Sequence, residues 1–182
     1  MDTNILKAQL SSKIFPEAKH DGKTKLSSVL VIIYGIEPKI LMIEKSKHLN
    51  KHAGEIAFPG GKWTEDDNDL LDTALRETEE EISLRISRNK IIGQLENVQT
   101  LNSGYVITPF VCFLDNIKKP KPNSEVASIL EIPLIPLLQS MDDDANPNHQ
   151  SLQEMYTFTY KNKIIWGASA RILKHLVNRL TL

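Results

Sequence analysis

Residues 58–84 read FPGGKWTEDDNDLLDTALRETEEEISL, and the rest of the chain is organised around them. Pro59-Gly60-Gly61 predicts a turn, because glycine takes positive φ readily and lets a ligand approach the backbone. From about Asp69 to Ile82, the residues Leu70, Leu71, Ala74, Leu75 and Ile82 recur at helical spacing and predict a helix with one buried stripe. Glu77, Glu80 and Glu81 stand at i, i+3 and i+4, so their carboxylates share another face, and Glu79 adds a fourth charge. Such carboxylates repel one another, near a helix C-terminus that already disfavours anions. An acidic helix face is most often simply solvated. A hard divalent cation would turn this repulsion into attraction, since Mg2+ and Mn2+ prefer oxygen ligands.

Arg76-Glu77-Thr78-Glu79-Glu80-Glu81-Ile82-Ser83-Leu84, set behind Gly61, resembles the second half of the Nudix box. That pattern is glycine, five residues, glutamate, seven residues, then Arg-Glu-apolar-any-Glu-Glu-any-Gly-apolar. Fourteen residues separate Gly61 from Arg76 where the pattern has thirteen, and Asn68 falls at the early glutamate, between Asp67 and Asp69. Thr78 replaces an apolar residue and Ser83 replaces the late glycine. The segment from Leu41-Met42-Ile43-Glu44-Lys45-Ser46 to Gly54-Glu55-Ile56-Ala57-Phe58-Pro59-Gly60-Gly61 is similar to the extra signature of coenzyme A pyrophosphatase-type Nudix hydrolases. Lys45 stands where that group usually has arginine; lysine keeps the charge and loses the bidentate fork. Glu125-Val126 with Pro133-Leu134, and Ile165 to Leu173, resemble two further segments of the same group.

The resemblance implies an α+β Nudix fold, a mixed β-sheet sandwiched between α-helices, in one domain over residues 1–182 with the box at about 61–84. It implies Mg2+- or Mn2+-dependent cleavage of the coenzyme A diphosphate bond, giving 3′,5′-ADP and 4′-phosphopantetheine or its acyl form. Glu77, Glu80 and Glu81 would hold the metal, with a Gly61 carbonyl as a further oxygen. Lys45, Gly60 and Gly61 would contact substrate, and Arg76 would orient a box glutamate. Either Glu80 or Glu125 would serve as general base. Two other readings stand beside this one. The first is a Nudix hydrolase acting on another nucleotide derivative, such as ADP-ribose or a nucleoside triphosphate. The second is a catalytically silent Nudix-fold binding module, against which the intact glutamate set argues.

Outward from the box, residues 2–15 predict a short amphipathic helix through Ile5, Leu6, Leu10 and Ile14, and residues 19–25 a polar loop turning at Gly22. Val29 to Tyr34 reads as a strand buried on both faces, followed by Ile40 to Lys45 as its hairpin partner. The next loop carries Lys47, His48, Lys51 and His52, read as surface residues. Ile91 to Leu95 and Val106 to Leu114 read as strands around turn chemistry at 100–105, and Thr108-Pro109 predicts an edge or an irregularity. Residues 117–123 read as an exposed Lys/Pro-rich loop. Residues 124–134 predict a short helix capped by Ser124 and then a strand. Asp142, Asp143 and Asp144 read as a solvated charge run, residues 155–166 as a hairpin around Lys161-Asn162, and Gly167 to Leu180 as a closing helix.

Composition excludes several classes. A net charge of −1, with 41% apolar and 25% charged residues, fits a globular protein with no bulk attraction to nucleic acid or membranes. The partner implied is a small molecule. Cys112, the single cysteine, lies in an apolar run and reads as a buried, inert thiol. A cytoplasmic location fits one cysteine and the lack of a signal-like apolar segment. The sequence carries no signal for an oligomeric state.

Overall fold

The computed structural model describes residues 2–18, 23–48, 53–101, 103–143 and 155–181. In chain order the elements are α1 (Thr3–Leu10), β1 (Lys25–Tyr34), β2 (Lys39–Lys45), β3 (Ile56–Ala57), β4 (Gly60–Lys62) and α2 (Leu70–Ile82). A 3-10 turn (Arg88–Lys90) leads to β5 (Ile91–Gln94), β6 (Val98–Gln99), β7 (Tyr105–Leu114) and β8 (Val126–Pro133). The chain closes with α3 (Leu134–Gln139), β9 (Asp142–Asp143), β10 (Tyr156–Tyr160), β11 (Lys163–Ile165) and α4 (Gly167–Leu180). Gly22, Lys51, His52, Asn102 and Asp144 lie outside the described residues.

β1 runs through the middle of a mixed sheet, parallel to β7 along its whole length. Its apolar run is buried on both faces, which selects β-branched side chains. The expected hairpin with β2 pairs only near its turn, from Ile32 with Leu41 to Tyr34 with Lys39. Beyond that point the two strands splay. β3 pairs with β2 and β4 with β1, so residues 56–62 fill the opening as a wedge. β8 flanks the other side of β2. Alternate residues then face opposite layers. Leu30, Ile32, Leu41 and Ile43 pack with Leu70, Leu71, Ala74 and Ile82 of α2. Val31, Ile33, Ile40 and Met42 pack with residues of α1, α3 and α4, such as Leu6, Leu138 and Leu173. One helix on one face and three on the other give the sandwiched sheet that the resemblance implies.

Three expectations change, and a fourth, left open between an edge and an irregularity at Thr108-Pro109, resolves to the irregularity. Residues 124–125 form a turn and Ser124 caps no helix, because Val126–Pro133 is drawn into the ladder with β2; pairing overrides local propensity. β7 is central rather than an edge, and Pro109 sits where its partner changes from β5 to β6. Its carbonyl accepts the Leu95 N–H there, so the missing proline N–H falls at the break in the ladder. α1 stops at Leu10, because the Ser11 side chain caps the Lys7 carbonyl and Ser12 bonds to Ile92 and Gln94 of β5. Ile5, expected on the apolar face, is exposed, and the arm after α1 borders β5. Pro59-Gly60-Gly61 is no free turn, since Gly60 and Gly61 belong to β4.

Other readings hold. The β10–β11 hairpin turns at Lys161, and α4 buries Ile172, Leu173, Leu176, Val177 and Leu180, with Ala170 rather than Ala168 fully inside. Cys112 is buried, which pushes its thiol up to about 12. Among the described residues no helix is long and apolar enough to cross a membrane.

Candidate active site

α2 starts where Asp69 accepts the Asp72 N–H and ends at Ser83, which takes the left-handed conformation (φ 54°). Serine thus does the work of the expected glycine at some conformational cost. The last helical carbonyls are not left bare. Loop 117–123 donates the Lys121 N–H to Ile82 and the Asn123 N–H to Glu81, while its lysine side chains stay exposed. Thr78, at an apolar position of the box, is buried with its hydroxyl on the Ala74 carbonyl.

The buried stripe of α2 sets the directions of the glutamates. Glu81 is only 3% exposed. Its Oε2 accepts the Gly60 N–H at 3.0 Å and its Oε1 meets Lys45 Nζ at 2.6 Å. Burial pushes its carboxyl above the usual range, with a smaller push from Glu77, while Lys45 and the Gly60 N–H hold it down. Glu77, one turn earlier, lies against Gly61, where an added Cβ would fall on its carboxylate. Gly60 takes positive φ, and a Cβ there would collide with the backbone of Ser28 and Val29. Both glycines are therefore required by close approach. Ser27 donates its hydroxyl to the Gly61 carbonyl at 2.7 Å. Glu80 points outward, 56% exposed, with Oε2 at 3.2 Å from Arg76 Nη1.

Arg76 is fully engaged. It bonds Asp67 through Nε at 2.8 Å and Nη2 at 3.0 Å, Glu77 at 3.0 Å, Glu80 at 3.2 Å, and the Lys62 carbonyl at 3.4 Å. Asp67 is the residue that sequence reasoning passed over in favour of Asn68. Counted from Gly61 it follows five intervening residues, as the pattern requires. The extra residue is taken up after Asp67, ahead of α2. Asp67 is buried and also accepts from the Thr64 N–H, the Thr64 hydroxyl and the Thr73 hydroxyl. Its bonds to Arg76, above all, hold its carboxyl down at about 2.

A group with a depressed folded pKa stabilises above its unfolded pKa and loses that contribution as pH falls through the folded one. Asp67→Asn should therefore lower unfolding stability by about 2 kcal/mol at neutral pH. The gap between variant and parent should close as pH drops from about 5 towards 2. Urea unfolding of both proteins across that range checks it; a gap constant with pH would assign the loss to packing instead.

Lys45 lies at the end of β2, where its backbone pairs with Glu55 and Gly54, and the Ser46 N–H bonds to the Glu125 carbonyl. Glu125 is exposed, its N–H donates to Asn123 Oδ1, and its carboxylate has no ion pair or hydrogen bond among the described residues. The fold thus brings together Lys45, Gly60, Gly61, Arg76, Glu77 and Glu81, carries Glu80 on Arg76, and sets the Glu125 backbone at the end of β2. Among the described residues no three acidic, histidine or cysteine side chains close on one point. The fit to a divalent cation rests on two carboxylates on adjacent glycines, Glu77 against Gly61 and Glu81 on the Gly60 N–H. One of them already carries the ammonium of Lys45 as a cation in place.

The NUDIX domain family profile matches residues 24–154. The chain is 38% identical over 160 residues to the uncharacterized Nudix hydrolase NudL of Yersinia pestis, covering 86% of this chain and 80% of that protein. The NudL of Yersinia pseudotuberculosis matches to the same extent. Among solved structures, a MutT/nudix family protein from Enterococcus faecalis superposes with a TM-score of 0.63 at 16% identity over 93% of this chain, which spans 65% of that one. The NUDIX domain of Shewanella oneidensis NrtR, complexed with ADP ribose, gives 0.52 at 22% identity, covering 76% of this chain and 88% of that one. At these identities the structures speak for the fold alone.

Proposed function

Because this chain belongs to the Nudix family, we propose that it hydrolyses the diphosphate bond of coenzyme A or a derivative, releasing 3′,5′-ADP and 4′-phosphopantetheine or its acyl form. The observation that carries this reading is the ion pair between Lys45 and Glu81. It joins segment 41–61, which is similar to the coenzyme A signature, to the carboxylate helix.

A diphosphate is a poor electrophile because its oxygens repel an incoming nucleophile. Glu77 and Glu81 would hold Mg2+ or Mn2+, with Glu80 and the Gly61 carbonyl as further oxygen donors. When bound there, such an ion would offset the diphosphate charge and lower the pKa of the attacking water. Arg76 acts on the carboxylates and not on substrate: its guanidinium, anchored by Asp67, orients Glu77 and Glu80 through charge-assisted bonds. Gly61 lacks the side chain that would push Glu77 away, and Glu81 sits on the Gly60 N–H, so both carboxylates lie directly against the strand backbone that the substrate would meet. Glu125 takes the proton of the water, because among the described residues its carboxylate is unpaired whereas Glu80 is tied to Arg76.

The 3′-phosphate sets coenzyme A apart from most nucleotide substrates of this family, and Lys45 is the cation assigned to it. Dephospho-coenzyme A should be the poorer substrate by about 1.5–3 kcal/mol, or about 10- to 150-fold in kcat/KM. Lys45→Ala should erase most of that preference. Equal kcat/KM for the two substrates in the parent enzyme rejects the 3′-phosphate contact. Strong ADP-ribose hydrolysis without attack on coenzyme A or its thioesters rejects the substrate. Mass spectrometry of the products identifies the bond cleaved.

A further inference from the structure

We propose that Lys45 is a displaceable counter-ion. Its ammonium neutralises Glu81 in the metal-free enzyme and leaves when a divalent cation loads, which frees it for a substrate phosphate. The inference rests on the reading of Glu81 as a metal ligand.

Both Glu81 oxygens are already occupied. One accepts the Gly60 N–H, which belongs to a strand paired with β1 and cannot leave. The other holds Lys45 Nζ at 2.6 Å, and that partner sits on a flexible stem. A carboxylate this deeply buried is costly without a cation beside it, so the metal-free fold needs one. A divalent ion supplies more charge at the same oxygen and repels the ammonium already there. The two cations therefore exchange rather than share.

The surroundings make Lys45 the group that moves. Its backbone is fixed on both sides, by Glu55 and Gly54 through hydrogen bonds and by Val126 through the ladder. Only the side chain can swing. That side chain is 18% exposed, so it has a way out towards solvent. Arg76 cannot substitute, because all its donors are taken by Asp67, Glu77, Glu80 and Lys62. Lys62 reaches instead over the Tyr105 ring, 5.8 Å from its centre. A single-point ammonium suits exchange, whereas a guanidinium fork could grip both Glu81 and a neighbour and resist release.

The test needs no turnover. Nitrogen-detected NMR of lysine ammonium groups should show the Lys45 signal protected in the metal-free enzyme and lost on saturation with Mg2+. Calorimetry should give Lys45→Met an affinity for Mg2+ higher than the parent's by about 10- to 100-fold, since no ion pair must first be broken. Lys62→Met, which also removes a nearby positive charge, should change it little, and Lys45→Arg should weaken it. An unchanged Lys45 signal at saturating Mg2+, or a Lys45→Met affinity no higher than the parent's, overturns the proposal. Glu81→Gln separates the two layers of inference. If it leaves Mg2+ affinity unchanged, the metal reading fails and the exchange with it. If it weakens binding while Lys45→Met does not tighten it, the exchange alone fails.

Discussion

Replacing Glu125 with glutamine is expected to lower kcat by about 10²–10⁴-fold, the range for loss of a positioned general base, with metal affinity almost unchanged. The expectation rests on what each acidic side chain is already doing. Glu81 is held by Lys45 and Gly60, Glu77 lies on Gly61 and Arg76, and Glu80 reaches back to Arg76. Glu125 alone among the assigned carboxylates is exposed and unpaired among the described residues. Its strand begins beside Lys45, so it is delivered from outside the helix that would hold the metal. Glutamine keeps the shape and can accept a hydrogen bond, but it cannot take a proton. A kcat within a few-fold of the parent would move the base into the box helix, with Glu80 the next carboxylate to replace.

Glu81→Gln should lower turnover by at least about 10²-fold while the fold stays intact. The amide preserves an acceptor for the Gly60 N–H, so the wedge of residues 56–62 keeps its contact with α2. What disappears is the buried negative charge that a divalent ion would satisfy. Lys45 loses its partner, but its side chain has access to solvent and the stability cost is small. Activity measured with excess Mn2+, beside a circular dichroism melt, checks both halves. Near-normal turnover would remove Glu81 from the site.

The box helix was legible because its two periodicities, apolar and acidic, agree with each other over residues that fall in α2. The strand at 29–34 was legible from its apolar run, and the last hairpin and helix from turn residues and spacing. Features that depend on distant partners were not. Gly60-Gly61 looks like a turn in sequence and becomes a strand only because β1 and β2 splay and leave unpaired backbone for it. Residues 126–133 could have been helical until β2 offered a partner for almost every residue. The Asp67–Arg76 pair was obscured by one inserted residue, which counting backwards from Arg76 assigns to the wrong side. The Lys45–Glu81 contact links residues 36 apart and has no local signature at all.

The parallel pairing of β1 with β7 has a consequence for how the chain is made. Lys25 pairs with Tyr105 and Tyr34 with Leu114, so each contact closes a loop 80 residues long. Such pairings are slow to form, because the loop entropy is lost before the contacts compensate for it. During synthesis the glutamate helix emerges well before the strands that flank β1 and β2 on their far sides, so an acidic helix and an exposed VLVIIY segment coexist for a time on the ribosome. Such a hydrophobic, uncharged segment is prone to intermolecular β-pairing. Aggregation during expression should therefore follow the rate at which residues 105–114 arrive and dock, and not the stability of the finished enzyme.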